Sequence, residues 1–279
     1  MDVTAADELI EHLVEFYDRT AGEYDAWAGG LNSRVAAKLV ELAHPKRGQA
    51  CLDVGCGTGL VTHLLAAKVG KQGSVVGIDL SARMLDLARR NVHPNTTFMA
   101  MAAENMVFRE HSFDLITYGQ SLHFLIDPFA SLDEAVRLLR PGGRIAVSMQ
   151  RRSLHTEAQE LFYTELGKLA GRHHLRIPQH STERAELGER HNLLSLLEEF
   201  GLQNVKMTEL VTGGRVRSPR EWTAIMTGTG PLPHTLISIL GPRLRGEFEE
   251  QLEAAMSELG DEAFRYHFAF IFAVASLPP

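Results

Sequence analysis

At 279 residues with 44% apolar side chains, the chain can bury a large core as one domain, alone or with a lid. A formal charge of −7, from 28 basic against 35 acidic residues and with no long basic run, excludes a surface that grips nucleic acid through its phosphates. The acidic N-terminus has no apolar secretory core, the longest apolar stretch (Phe268 to Leu277) is too short for a bilayer, and only Cys51 and Cys56 are present, so the expectation is a cytoplasmic protein without membrane insertion or a disulfide framework.

Residues 1–45 read as a helical lid segment. Leu9, Ile10, Leu13, Val14 and Phe16-Tyr17, and later Val35, Ala36, Leu39, Val40 and Leu42, recur at near-helical spacing. Gly22-Glu23-Tyr24-Asp25-Ala26-Trp27 lies between the two helices. The apolar run Ala50 to Val54 predicts a strand that enters a tight turn with glycines at 55, 57 and 59, where no side chain holds the backbone away from a ligand; helical spacing resumes at Leu60. A second apolar run, Ser74 to Ile78, ends on Asp79, where a carboxylate accepts both hydroxyls of a ribose lying across the first loop. Together the two runs read as a nucleoside-cofactor site. The third glycine comes one residue early for the dinucleotide pattern, with Leu60 where Gly or Ala belongs. Asp53 beside the loop disfavours a pyrophosphate and suits a cofactor with a sulfonium and an ammonium group.

S-adenosyl-L-methionine is such a cofactor, and from about Tyr17 to Met149 the chain resembles the class I methyltransferases that use it, in particular the small-molecule group with the ubiquinone and menaquinone C-methyltransferases. Leu52 to Gly59, Gly77-Ile78-Asp79-Leu80-Ser81 with Met84-Leu85 and Ala88-Arg89, Phe98 to Phe108, Phe113 to Ile116 and Leu139 to Arg144 occur in family order. The resemblance implies cofactor contacts at Asp53, Gly55, Cys56, Gly57, Gly59, Asp79, Leu80, Met84 and Gln120. The family often has Asp-Ala where this chain has Ala102-Ala103, so either Glu104 substitutes for the missing adenine acceptor or the backbone of Ala103 holds the ring alone. The family's Tyr-Asp segment folds over cofactor and substrate, which makes Tyr24 a candidate substrate contact, the alternative being an aromatic anchor for a surface helix. Tyr118 and Gln120 are candidate polar substrate contacts, and His123, directly after the fourth strand, is the candidate general base. The loop lacks the Asn-Pro-Pro-Tyr or Asp-Pro-Pro-Tyr sequence of nucleic-acid amino methyltransferases, which again argues against a nucleic-acid partner.

From 46 to 150, alternating strands and helices imply parallel strands with the ligand at their carboxyl ends. Residues 151–279 complete the sheet with a helix over Leu193 to Phe200 and strands over Val205 to Val211 and Phe268 to Ala275. Helical patterning between Arg215 and Asp261 places Trp222 and Met226 on substrate-covering helices, or on helices that simply pack. His173, His174, His180 and His191 lack the partners of a metal site, so no metal is expected. The fold expected is α/β, a Rossmann-like, mostly parallel seven-stranded sheet with helices on both faces and a helical lid. The expected function is methyl transfer to a small apolar or aromatic metabolite, at oxygen or carbon. The alternative is a protein that keeps the cofactor fold for another reaction such as cyclisation or decarboxylation. No oligomeric state is read from the sequence.

Overall fold

The computed structural model describes residues 3–91, 93–151, 156–174, 186–227, 237, 240–260 and 265–279, the side chains of 3–9, 12 and 219 excepted. Two helices open the chain, α1 (Val3–Thr20) and α2 (Trp27–Ala43). There follow β1 (Ala50–Val54), α3 (Leu60–Val69), β2 (Ser74–Asp79), α4 (Ala82–Ala88), β3 (Thr96–Ala100), β4 (Phe113–Gly119), α5 (Pro128–Leu138) and β5 (Leu139–Arg151). Beyond these come α6 (Glu157–Arg172), α7 (Arg190–Glu199), β6 (Gln203–Arg215), α8 (Pro219–Thr227), α9 (Gly241–Ser257) and β7 (Arg265–Ser276).

Among the described residues seven strands form one sheet in the order β3-β2-β1-β4-β5-β7-β6. The pairs among β1 to β5 are parallel, as short apolar strands joined by helices require. The last strand runs the other way. Leu277 N–H donates to Gly143 O (2.9 Å) and Ser276 Oγ to Gln203 O (3.2 Å), so the end of β7 lies beside the starts of both β5 and β6. The chain winds outward from β1 to β2 and β3 on one side, and through β4 and β5 on the other. The crevice for a ligand in such a sheet opens at the carboxyl ends of the two strands where the winding reverses, here β1 and β4.

Two compact units are present. The first comprises Met1–Gln150, Arg184–Glu209 and Phe270–Pro279; the second, Arg151–Glu183 and Leu210–Ala269. Helices α1 and α2 thus belong with the sheet. In the first unit, β1 is buried from Cys51 on, with helices covering both faces, which is why its sequence is a continuous apolar run instead of an alternation. Leu52, Ile78, Ile116, Leu132, Leu138 and Ile145 meet in its core, where each fully buried side chain of this size contributes roughly 1.5–3 kcal/mol. Local signals fix the helix starts: Ser81 Oγ accepts from Met84 N–H, and Asp127 caps α5 through Phe129 and Ala130 N–H with Pro128 following it.

In the second unit, Thr156 and Gln159 form a reciprocal cap at the start of α6. Phe162 and Phe248 meet edge-on at 5.3 Å, with Trp222 and Met226 in the same core cluster.

Tyr118 requires a correction. Its side chain is fully buried in the core of the first unit, and its hydroxyl donates to Ser131 O (3.0 Å) and pairs with Ser131 Oγ (2.9 Å). Successive residues of a strand face opposite sides, and both sides of this sheet are covered, so Tyr118 is a packing residue rather than a substrate contact. Tyr118→Phe should lower stability by about 1 kcal/mol in urea unfolding, the usual net worth of such a hydrogen bond. A variant as stable as the parent would show that this hydroxyl adds nothing to the α5–β4 joint.

Candidate functional site

The carboxyl end of β1 carries Asp53 and the glycine loop. Asp53 is 1% exposed and stands opposite Gly77 in β2 and Thr117 in β4. Its two oxygens accept from Thr62 Oγ1 (2.6 Å) and Thr117 Oγ1 (2.8 Å), which ties β1 to α3 and β4. Burial pushes its carboxyl up to about 6, against the two threonine hydrogen bonds that favour ionisation. The loop then turns through three left-handed glycines for three different reasons. A Cβ on Gly55 would lie 2.5 Å from Ser121 Cβ, and one on Gly59 would lie 2.7 Å from His63 Nε2. On Gly57 the nearest atom is Met84 Sδ at 3.9 Å, an ordinary contact, so of the three only this glycine is not crowded by its neighbours.

Asp79, at the end of β2, closes the loop from the other side. Its Oδ2 accepts from Gly57 N–H (2.8 Å) and its Oδ1 from Ser81 N–H (2.9 Å). Burial raises its pKa while these backbone donors oppose the shift. Leu80 is 43% exposed beside it, an apolar side chain without a cover, and Met84 is buried behind the loop. Ala103 is buried on the far wall. Glu104 turns Oε1 to two backbone donors, Ile126 N–H (3.1 Å) and Asp127 N–H (3.2 Å), and so fixes the segment before α5.

These residues line two cavities within the first unit. The larger, about 110 Å³, is lined by Asp79, Leu80, Met84, Ala103, Glu104 and the α1 side chains Ile10, Leu13, Val14 and Tyr17. The smaller, about 30 Å³, is lined by Asp53, Cys56, Thr58, Asn32 and Ser148. Tyr24, Gly55, Gly57, Gly119 and Gln120 belong to both. Gln120 reaches that place through a left-handed backbone (φ 59), its N–H donating to Ser148 O (3.1 Å). Burial, then the nearby Asp79, Asp25 and Asp53, raise the Tyr24 phenol well above its ordinary range, so it stays protonated.

Of the residues expected from sequence, the structure brings together Tyr24, Asp53, Gly55, Cys56, Gly57, Asp79, Leu80, Met84, Ala103, Glu104 and Gln120. Gly59 stands behind them as the N-cap of α3. His123 lines neither cavity; it lies in the turn Leu122–Phe124 with its ring 4.0 Å from that of Phe124, the residue that does reach the larger one. Trp222 and Met226 sit fully buried in the core of the second unit. His180 lies outside the described residues, among which no group of three or more His, Cys, Asp or Glu is arranged to hold a metal and no helix is long and apolar enough to cross a membrane. Sequence reasoning reads residues 1–45 as a lid without naming Ile10, Leu13, Val14 and Tyr17 as lining, and it misses the pairing of Thr58 Oγ1 with Asp25 Oδ1 (2.6 Å), for which the Tyr-Asp segment was the available signal.

A parallel sheet with a glycine turn and an acid at adjacent strand ends defines a Rossmann-like nucleoside-binding domain. Residues 52–147 match the family described as a methyltransferase domain. The chain is 34% identical over 140 residues to the aklanonic acid methyltransferase DauC of Streptomyces sp. (strain C5), a stretch that is 49% of this chain and 64% of that one. It is 35% identical over 147 residues to the 2-phytyl-1,4-naphtoquinone methyltransferase of Thermosynechococcus vestitus, 52% of this chain and 64% of the relative. The chain thus spans under two thirds of these relatives. Among solved structures, the phosphoethanolamine N-methyltransferase 2 of Haemonchus contortus in complex with S-adenosyl-L-methionine shares the fold, with TM-score 0.56, 17% identity, and coverage of 94% of this chain and 57% of that one.

The Asp53 shift sets a pH test. With a folded pKa of about 6 against an ordinary 3.8, protonation favours the folded state, and the associated stability is full below 3.8 and lost as pH rises through 6. Relative to Asp53→Asn, whose amide keeps both threonines partnered, the parent should lose on the order of 3 kcal/mol between pH 4 and pH 7. Denaturant titrations at both pH values measure it; parallel stabilities for the two proteins would mean that Asp53 titrates normally.

Proposed function

We propose that the chain transfers a methyl group from S-adenosyl-L-methionine to oxygen or carbon of a small, largely apolar or aromatic metabolite. The observation that carries this reading is the charge of the lining: Asp53, Asp79 and Glu104 face the two joined cavities, and among the described side chains no lysine, arginine or histidine does. Such a trough suits a ligand bearing positive charge and repels a pyrophosphate. The site residues named by the resemblance fit the cofactor on this ground and on the uncrowded face of Gly57, where a backbone can approach closely.

Asp79, pre-aimed by Gly57 and Ser81 N–H, would hold the ribose hydroxyls. Leu80 offers an apolar face for the adenine. Because Glu104 Oε1 is engaged by two amides, its Oε2 is the oxygen left for an adenine amino group. Asp53 and the smaller cavity suit the amino-acid end. Bound there, the cofactor supplies an electrophilic methyl carbon on a sulfonium. The chain's contribution is alignment and exclusion of water: Ile10, Leu13, Val14 and Phe124 give the larger cavity an apolar cover. Among the described side chains none with an ordinary pKa near neutrality lines either cavity, which fits a substrate that arrives ionised or reacts at carbon. The relatives' names, an aklanonic acid and a phytyl naphthoquinone methyltransferase, support an oxygenated ring system as the substrate class.

Calorimetry should show S-adenosylmethionine binding that weakens at least about tenfold in Asp79→Ala, since charge-assisted hydrogen bonds contribute ~1.5–3 kcal/mol each. Affinity should also fall as pH drops through about 6, where Asp53 becomes neutral. Incubation with hydroxylated naphthoquinones and aromatic polyketide acids should release S-adenosylhomocysteine. No binding at millimolar cofactor would sink the cofactor assignment; tight binding without turnover on any oxygenated ring compound would sink the substrate class.

A further inference from the structure

Behind the glycine loop stands a pair of histidines that line neither cavity. His63 lies in the first turn of α3, its N–H donating to Gly59 O (2.9 Å), and its Nε2 is 2.7 Å from where a Cβ on Gly59 would be. Its ring meets that of His93 at 5.3 Å, tilted by 32°, and that of Phe98 edge-on at 5.5 Å. Both nitrogens of His63 are shut off from solvent, and neither has a hydrogen-bond partner. A neutral imidazole carries one N–H and a charged one two, so protonation doubles the donors left without an acceptor. The turn that carries His93 is tied to α3, because Asn95 Nδ2 donates to Ala66 O (3.1 Å) and Gly70 O (3.0 Å). His93 O in turn accepts from Thr96 N–H (3.1 Å) and Thr96 Oγ1 (2.8 Å). The two rings are thus held in contact by bonds that neither ring makes.

The surroundings disfavour a charge on His63. It sits at the N-terminal end of α3, where the helix dipole opposes a cation. Arg89, at the end of α4 and paired with Asp86, sends its guanidinium to Phe98 O (3.2 Å), and His93 is itself able to take up a proton. Cys56 Sγ and the Phe98 ring each lie 3.0 Å from where a Cβ on Gly77 would be, and burial raises the pKa of that thiol well above its ordinary value. Asp25 favours the charged ring, with its Oδ1 already engaged by Thr58 Oγ1 (2.6 Å). Burial, and then His93, lower the His63 pKa below the ordinary imidazole value, against the Ala88 backbone and Asp25.

Resting on the reading that this loop holds S-adenosyl-L-methionine, we propose that His63 and His93 form an acid-sensitive joint behind the cofactor loop. Uncharged, the two rings pack the first turn of α3 against the turn between α4 and β3 and support Gly59. Charged, they repel each other and call for acceptors that the joint does not contain, so the two turns part and the loop loosens. The cofactor is thereby held at neutral pH and above and released in acid. The folded protein binds the His63 proton less readily than the unfolded chain, so the associated stability is whole above the ordinary 6.5 and is lost as pH falls below it, opposite in sign to Asp53.

Hydrogen exchange on the protein without ligand tests the joint directly. Amides of residues 59–63 and 95–97 should exchange about three- to tenfold faster at about pH 5.5 than at about pH 7.5, after correction for intrinsic chemistry. That excess should vanish in His63→Phe, which keeps a ring in the space and does not titrate. His93→Asn removes the second charge from the partly exposed side and should at least halve the excess, so the test stands if the first variant misfolds. In calorimetry with S-adenosyl-L-methionine at the same two pH values, the parent should lose at least about threefold more affinity in acid than His93→Asn or His63→Phe, since the loss from Asp53 is common to all three. An acid excess in exchange that the folded variants share with the parent would overturn the joint. So would affinities that fall in parallel across parent and variants. A parent that binds no cofactor at either pH would instead remove the cofactor reading, while the exchange result would still decide for or against the joint.

Discussion

Everything at the ligand end of the sheet depends on where the carboxylate of Asp79 points. One oxygen draws in the N–H of Gly57 and the other the N–H of Ser81, so the glycine loop of β1 and the start of α4 converge on one side chain at the tip of β2. Ser81 then caps α4 through Met84 and also receives Asp18 from α1. A single acid thereby sets the relative positions of two loops, a helix and the N-terminal cover. The parallel register makes this possible by ending β1 and β2 at the same level, with Asp53 opposite Gly77 and Val54 opposite Ile78.

This arrangement is costly to the domain on its own. Asp53 is buried and Asp79 half-buried, and desolvation raises the pKa of both, so their ionised forms are poorly solvated where they stand. Threonine hydroxyls and backbone amides offset part of that cost, and no cation among the described lining residues offsets the rest. Groups held in such surroundings persist where function needs them, and a cationic ligand is what would relieve them. Tyr24 belongs to the same set: its phenol is kept protonated by burial and by three surrounding acids, and so remains a donor.

The elements that form the sheet could be read because the signals were local. Apolar runs end at Val54 and Ile78, and glycine and aspartate follow directly, so strand ends and ligand loop are neighbours in sequence. What could not be read depends on distant partners. Tyr118 looks like a polar residue at a strand end, but its hydroxyl is satisfied by Ser131 in α5, and nothing near it in sequence announces that. Asp25 and Thr58 lie 33 positions apart and carry no spacing signal. The periodicity of α8 correctly marks Trp222 and Met226 as apolar-facing, but periodicity does not say what the face meets, and it meets α6 and α9. The sequence offers Glu104 in place of a missing adenine acceptor, and the structure adds its two amide partners before α5.

The three glycines of the first loop are alike in the sequence and unlike in what restrains them. A Cβ would clash with Ser121 at Gly55 and would crowd His63 and Ala88 at Gly59, whereas at Gly57 it would make only an ordinary contact with Met84. Under drift, therefore, the three positions would not decay together. A descendant that had given up its ligand would still need Gly55 and Gly59 to close its own packing. Position 57 would be released first, with asparagine, which tolerates a left-handed backbone, the easiest replacement. In any lineage built on this loop, the middle glycine is the one whose loss would record the loss of binding.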